Sequence, residues 1–554
     1  MMFVRSSFRP IWAPRFLVLG AGVLMGMASA PVEAWYLAWI ALIPLWIYLG
    51  RSPQRTKSFP SAQGRKGLRA MRNFYQRYKQ PLWLSFYWGL GYQGFTLFWI
   101  TGIHPMTWMG VPWLWSLAIA IVCWIIITLW GAGIPVLWAL GMVCFEEFRA
   151  SFGPLSFAGR LYRVVYGASL WCVIEYLWSQ SDLFWHFLAF SQSPHNLAIL
   201  QLAQLSGFTT ISWLIVLVNG CLAEACFDAT GTVRFHRCSG LLGGLTLILL
   251  GSAHLIGWSL LQTTPVTSDR PAQIGIIQGN IPNEIKLYQD GNQLAIANYR
   301  AGYETLAQQP LDLIITPETA LPFRIEQILQ ATFWPRLIRT ENVPLVLGAF
   351  SSEANNFTNS LFALDRQGYV FSRYNKQRLV PLGEYIPFEA VLGKIINRLS
   401  PLDAHLVRGQ NPAVMQTPLG PATVAICYES AYPEHFRRQT AAGGEFIIVA
   451  SNDAHYSETM PAQHHALDVM QAIANGRWLV RANNTGHSGV IDPTGKTLWL
   501  SSLNEFVTYS AQIYLSDKKT PYVHWGNWLV KSQGLFLLGT GLSGYISYAH
   551  RARV

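Results

Sequence analysis

The chain has 554 residues, of which 51% are hydrophobic and only 12% charged, with 23 tryptophans and a formal net charge of +11. So small a charged fraction cannot dress the surface of a soluble protein of this size, which excludes an ordinary soluble globular enzyme and points to a membrane protein. The excess of Lys and Arg falls in short segments between apolar runs, so it reads as membrane orientation and not as a nucleic-acid footprint.

Apolar runs follow one another at 16–30, 35–49, 82–103, 113–143, 164–178, 208–227 and 241–261, with a last one at 534–549. A bilayer core of about 30 Å needs about 20 helical residues, so several of these are short, whereas 113–143 has room for two crossings. Charge decides between the readings. Arg51, Arg55, Lys57, Arg65, Lys66, Arg69, Arg72, Arg77 and Lys79 precede the third run, and Arg149, Arg160 and Arg163 follow the fourth. Both groups belong on the cytoplasmic side, so an even number of crossings separates them and 113–143 is one helix, with Pro135 as the place for a bend. The same rule puts Arg5, Arg9, Arg15, Arg234, Arg237, Arg551 and Arg553 inside. Seven crossings then deliver the following domain outside, and the last run returns the C-terminus to the cytoplasm. The first run continues through "GMASAPVEAW" into the second, and reads as a retained helix and not a cleaved signal peptide.

From 273 to 511 the pattern changes to that of an α/β domain. Strand-like runs appear in "AQIGIIQG", "LDLIITPE", "VPLVLGAF", "NSLFALD", "TVAICYE", "EFIIVASND" and "WLVRANN", with helical stretches at 293–309 and 462–474. The turn signals "DRQG" and "DPTG" predict hairpins, hence mixed sheets. Of the seven cysteines, Cys123, Cys144, Cys172, Cys221, Cys226 and Cys238 lie in or beside the apolar runs, and Cys427 alone lies in the external domain. A lone thiol on the oxidising side of a membrane has no disulfide partner in its own domain and is exposed to oxidation, which weighs for a function over a plain core position. Glu318, Lys376 and Cys427 each stand just beyond a strand-like run or hairpin, and residues at strand ends converge on one edge of a sheet. Together they make a chemically complete set: a thiol, a carboxylate to take its proton, and an ammonium to stabilise the anions formed on attacking a carbonyl.

The motifs "TPETALP", "YNKQRLVPLGEYIP", "ICYESAYP" and "ASNDAHYS", in this order, resemble the Glu-Lys-Cys signature of the nitrilase (carbon-nitrogen hydrolase) superfamily. The membrane framing and "QGNIP" at the start of the domain are similar to the apolipoprotein N-acyltransferase family within it. The resemblance implies a polytopic helical membrane domain (1–265), an extracytoplasmic nitrilase-like αββα four-layer sandwich (271–515) and a C-terminal transmembrane helix (530–550), set in a bacterial inner membrane with both termini cytoplasmic. It implies Cys427 as nucleophile, Glu318 as general base and Lys376 as electrostatic partner, with supporting roles for Glu384, Tyr428, Glu429 and Asn359 and with no cofactor. The implied acyl donor is a membrane phospholipid. The implied acceptor is the α-amine of the diacylglyceryl-cysteine of an apolipoprotein, and two substrates using one thiol in turn imply ping-pong kinetics. The chain departs from the family at Leu287 and Thr316, where Trp is usual, and at His455, Tyr456 and Ser457.

Other expectations come from the residues themselves. Glu175 is ionisable at membrane depth, so it is either functional or paired inside the bundle. His464 and His465 are adjacent on a helix and point apart, and we expect no metal there. The apolar stretch 385–396 and the aromatics near His455 are candidates for a lid that keeps water from a thioester. The alternative activity is a membrane-tethered amidase with water as acceptor, and the non-enzymatic alternative is a transporter or lipid-binding scaffold whose external domain is only a folded lid. A monomer with no nucleic-acid partner is expected.

Overall fold

The computed structural model describes residues 13–50, 68–149, 156–226, 237–353, 356–381, 383–385, 406–410 and 414–553. Most of the candidate lid at 385–396 lies outside these residues. The helical part contains α1 (Ala13–Met27), α2 (Ile43–Gly50), α3 (Leu68–Thr96), α4 (Trp113–Arg149) and α5 (Phe157–Trp178), followed by helices Thr209–Cys226 and Arg237–Thr263. The run 113–143 is a single helix of 37 residues that continues through Pro135. Among the described residues, three helices are long and apolar enough to cross a membrane: Trp113–Glu147, Thr209–Cys226 and Ser239–Thr263.

The run 35–49 is divided into a 3-10 turn, Trp35–Trp39, and the eight-residue α2. Asn219, from helix Thr209–Cys226, fills the break: its Oδ1 accepts from Leu42 N (2.9 Å) and its Nδ2 donates to Ala38 O (2.9 Å). Away from water an opened helix is tolerated only when such a partner satisfies the freed backbone groups. Apolar composition does not register that partner. Helices α1 and α3 meet through small residues, and a Cβ on Gly22 would stand 2.1 Å from Trp88 O.

Charged side chains inside the bundle are paired. Arg163 Nε contacts Glu146 at 2.6 Å and Arg160 contacts Glu224 at 2.9 Å. Arg163 also contacts Glu224, which in turn accepts from Trp46 Nε1 at 3.1 Å. Glu175 has hydrogen bonds in place of an ion pair: its Oε1 accepts from Leu188 N (2.7 Å) and Trp171 Nε1 (3.4 Å) and so holds the 3-10 turn Leu188–Gln192 against α5.

The second half is two six-stranded sheets, ordered β12-β1-β2-β3-β4-β5 and β11-β10-β9-β8-β7-β6. In the first, β1 (Pro271–Gln278), β2 (Leu313–Ile315) and β3 (Leu345–Glu353) are parallel, and β4 (Asn356–Leu364) and β5 (Val370–Asn375) follow antiparallel. The second sheet repeats the plan: β7 (Gly420–Ile426), β8 (Phe446–Ser451) and β9 (Leu479–Asn483) are parallel, then β10 (Gly489–Ile491) and β11 (Thr497–Leu500) antiparallel. β12 (Val507–Tyr514) and β6 (Met415–Thr417) close the outer sides of β1 and β7. The two predicted hairpins are β4–β5 and β10–β11, and in each a turn aspartate accepts two backbone N–H groups. Asp365 takes Gln367 and Tyr369, both at 2.9 Å, and Asp492 takes Thr494 (2.8 Å) and Lys496 (3.0 Å).

The sheets pack face to face through Ile274, Ile276, Leu313 and Ile315 on one side and Val424, Ile426, Ile448 and Val480 on the other. Helices cover both outer faces, giving the four-layer αββα sandwich. Tyr299, Tyr303 and Ile338 lie over the first sheet. Over the second, helices Pro433–Ala441 and Thr459–Asn475 share one continuous apolar core with the membrane bundle, so Phe436, Leu467 and Met470 belong to the same cluster as Trp46 and Trp171. We expect Phe436→Ala, which empties a fully buried site in that shared layer, to cost about 3–5 kcal/mol, read as earlier thermal unfolding of the detergent-solubilised protein.

Candidate active site

Three strand ends deliver the reactive side chains to one edge of the sandwich. β2 ends at Ile315, and Thr316, Pro317 and Glu318 follow. Thr316 is buried and its hydroxyl bridges Val346 O (3.1 Å) and Gly348 N (3.1 Å), sewing β2 to β3. The Glu318 turn lies directly on Gly348, where a Cβ would meet Pro317 O at 2.0 Å. Lys376 follows β5, its N–H bonded to Asn359 O on β4 at 2.9 Å. β7 ends at Ile426, and Cys427 turns out of it with φ +51, a left-handed conformation that a non-glycine residue adopts only when its surroundings impose it.

Buried Lys376 Nζ stands 2.8 Å from Glu318 Oε1 and 2.9 Å from Glu384 Oε1. Asn359 Nδ2 donates to the same two carboxylates, at 2.6 and 3.2 Å. Asn452 N binds the other oxygen of Glu318 (3.0 Å), and Val380 N the other oxygen of Glu384 (2.8 Å). Burial raises both carboxylates, but the adjacent ammonium wins at Glu318, which is held below the ordinary carboxylate range. Glu384, facing Glu318 across the shared ammonium, is held above it. Burial together with the negative charge of Glu318 pushes the Cys427 thiol well up, against the opposing pull of Lys376. The resting pair is therefore an ionised carboxylate beside a neutral thiol.

Glu429 ties the Cys427 turn to the Lys376 loop. Its buried carboxylate accepts from Ile426 N (2.7 Å), Gln377 N (2.6 Å), Arg378 N (3.1 Å) and the Tyr374 hydroxyl (2.9 Å). Tyr428 faces the bundle: its hydroxyl donates to Asp182 O (2.7 Å) and Phe184 O (3.0 Å), and its ring stacks on Trp185.

Four further residues complete the site, of which the sequence singled out only His464, as one of a histidine pair. Asp182, on the turn after α5, receives Arg378 (3.0 Å), Arg408 (2.8 Å) and the Tyr385 hydroxyl (3.1 Å), so a bundle carboxylate grips the loop that carries Glu384. Asp453 and His464 form a relay behind the thiol: His464 Nδ1 meets Asp453 at 3.0 Å and Nε2 meets Cys427 O at 3.0 Å. The donor atoms of Cys427, Asp453 and His464 lie within 4.8 Å of one another, but both ring nitrogens are engaged in this relay. Lys286, on helix Asn283–Lys286, is buried with Nζ on Glu318 O (3.2 Å) and Thr319 Oγ1 (3.1 Å). Asp453 sits inside the quoted "ASNDAHYS" and so was within a motif already in view, whereas Lys286 lies just past "QGNIP" and outside it. Asp182 had no such signal.

A cavity of about 420 Å³ spans the two halves of the chain. Cys427, Glu318, Lys376, Glu384 and Lys286 form one wall, and Trp99, Met106, Trp108, Ile126 and Ile127 from α4 and the segment before it form another. Leu287, His455 and Tyr456 also line it, and Tyr456 meets Trp99 edge-on at 5.0 Å.

Residues 260–519 match the carbon-nitrogen hydrolase family, so the two-sheet half is a domain of that class. Residues 68–221 match the apolipoprotein N-acyltransferase N-terminal domain. An apolipoprotein N-acyltransferase of Nostoc sp. is 45% identical over 94% of this chain and 97% of its own length. Proteins of the same name from Synechocystis sp. and Thermosynechococcus vestitus are 42% and 36% identical, over 91% and 93% of this chain and 96% and 92% of their own. The chain belongs to the apolipoprotein N-acyltransferase family.

Two outcomes follow from this geometry. With its thiol held up, Cys427 should react with iodoacetamide at pH 7 more slowly than free cysteine; stopped alkylation followed by mass spectrometry reads the rate. Asp182→Asn removes the charge that grips Arg378 and Arg408 and should cut acyl transfer roughly tenfold to a hundredfold through misplacement of the Glu384 loop, with little change in thermal stability.

Proposed function

We propose that the protein moves a fatty acyl chain from a membrane phospholipid, through a thioester on Cys427, to the α-amino group of the N-terminal diacylglyceryl-cysteine of apolipoproteins. The observation that carries this reading is the shared cavity, in which a buried thiol beside an ionised carboxylate faces apolar side chains of the helical bundle. An acyl ester carrying its chain along that apolar wall would present its carbonyl to the sulfur.

Glu318 takes the proton of Cys427 as the sulfur attacks the ester carbonyl, and Lys376 supports the negative charge in transit. The tetrahedral adduct collapses by breaking the bond to the alkoxide of the lysophospholipid, which takes the proton from Glu318 and leaves. The amine of the acceptor then attacks the thioester, gives a proton to Glu318, and the Cys427 thiol is restored. The bundle lies in the bacterial inner membrane with both chain ends cytoplasmic and the sandwich on the opposite side, a reading that the distribution of Lys and Arg supports. Glu384 and Asn359 fix Lys376 and Glu318, Glu429 fixes the two turns, and Tyr428 holds the nucleophile turn against the bundle.

Incubating the folded protein with a labelled phospholipid alone tests this directly. Mass spectrometry should find one acyl group on Cys427, released when an amine-bearing acceptor is added and absent from Cys427→Ala. Folded protein that never acquires the adduct would sink the reading, and release as free acid in preference to transfer would turn it into an amidase. Glu318→Gln should slow adduct formation about 10²- to 10⁴-fold without changing which residue is modified.

A further inference from the structure

Lys376 has two carboxylates on it, at 2.8 and 2.9 Å. With Glu318 and Glu384 both ionised this group carries an uncompensated negative charge, and with Glu384 protonated it is neutral. When Glu318 takes the thiol proton, Lys376 is left facing the thiolate and Glu384, so with Glu384 ionised one negative charge stays unbalanced. In a site from which water is largely excluded that excess is costly unless another cation stands near.

Lys286 has the placement for that cation. It is 2% exposed, it lines the same cavity as Cys427, and among the described residues its Nζ donates only to uncharged oxygens, Glu318 O and Thr319 Oγ1. The ionisable groups around it are Glu284 on its own helix, Glu318 on the adjoining turn, and Lys376, Cys427, Glu384 and His455 along the cavity wall. Burial lowers its ammonium to about 8, against the pull of Glu318 and Cys427, so it still carries its charge at neutral pH.

We propose that Lys286 is the second cation of the site, whose charge adds to that of Lys376 in offsetting the Cys427 thiolate and the oxyanion of the tetrahedral adduct. The covalent steps are those given above, and Lys286 exchanges no proton in them. The inference rests on Cys427 being the nucleophile, and goes further in assigning part of the balancing charge to a second lysine. A neighbouring opposite charge favours the anion of a titrating thiol, so losing it should slow a thiolate reaction at fixed pH about tenfold or more.

The test is alkylation of Cys427 by iodoacetamide at pH 7 in the full-length protein, comparing Lys286→Gln, Lys286→Met and Lys286→Arg. Gln keeps a donor for Glu318 O and Thr319 Oγ1 but not the charge. The proposal expects Gln and Met to be slowed alike, about tenfold or more, and Arg to retain most of the wild-type rate. A Gln variant as fast as wild type would overturn it and leave Lys286 as a hydrogen-bonded anchor only. A second reading needs no variant: in wild type the rate–pH curve should flatten near pH 8, where Lys286 gives up its proton, and a single uninterrupted rise would also overturn the proposal. Since alkylation requires no lipid, a phospholipid adduct on Cys427 together with an unaffected Gln variant would refute the second cation alone, and no adduct together with a slowed Gln variant would refute the transferase reading alone.

Discussion

Everything at the catalytic edge depends on one buried ammonium held between two carboxylates. Lys376 lowers Glu318 and so keeps the base ionised where desolvation alone would protonate it. That charge in turn keeps the neighbouring thiol protonated. The site at rest is thus set for proton transfer and holds no preformed thiolate, which protects the sulfur, because oxidation proceeds through the thiolate. The opening expectation from the sequence was a sulfur made anionic by its neighbours. The arrangement separates the two influences: the carboxylate opposes the anion until it has received the proton.

The fold supplies this arrangement through its repeat. Three parallel strands followed by two antiparallel ones occur once in each sheet, and the repeat sets Glu318 after β2 opposite Cys427 after β7. Lys376 is then brought in by the hairpin β4–β5, whose register places Asn359 beside it. Glu429 joins the turns after β5 and β7 with a single carboxylate, so the nucleophile and the ammonium cannot move independently. Asp182 extends the same linkage into the bundle.

Much of this was legible in the chain. The long apolar strands read plainly because each is buried on both faces, and the two hairpins announced themselves through Asp and Gly at their turns. Glu318, Lys376 and Cys427 were found because strand ends are where such chemistry gathers. β6, three residues long, and β12, mostly half-buried and paired with the distant β1, were missed, while β5, β10 and β11 were expected only as arms of the two hairpins. The break in the second apolar run was invisible because it depends on Asn219, some 180 residues later. Asp182 and Lys286 have ordinary local surroundings in sequence, and only the closing of the two halves on each other gives them charged neighbours. His464 attracted attention as one of a histidine pair, whereas its ring nitrogens serve a backbone carbonyl and an aspartate.

The helix Thr459–Asn475 lies in the one apolar core that runs unbroken from the second sheet into the bundle. Because the helix belongs to both halves, no seam exists along which the soluble-looking half could be cut away with its surface intact. An isolated sandwich would display the face of that helix and the ring of Tyr428 to water, in the manner of half a folded interior. The protein is in this sense a single cooperative body, and its catalytic edge is a property of the lipid-facing half as much as of the strands that carry it.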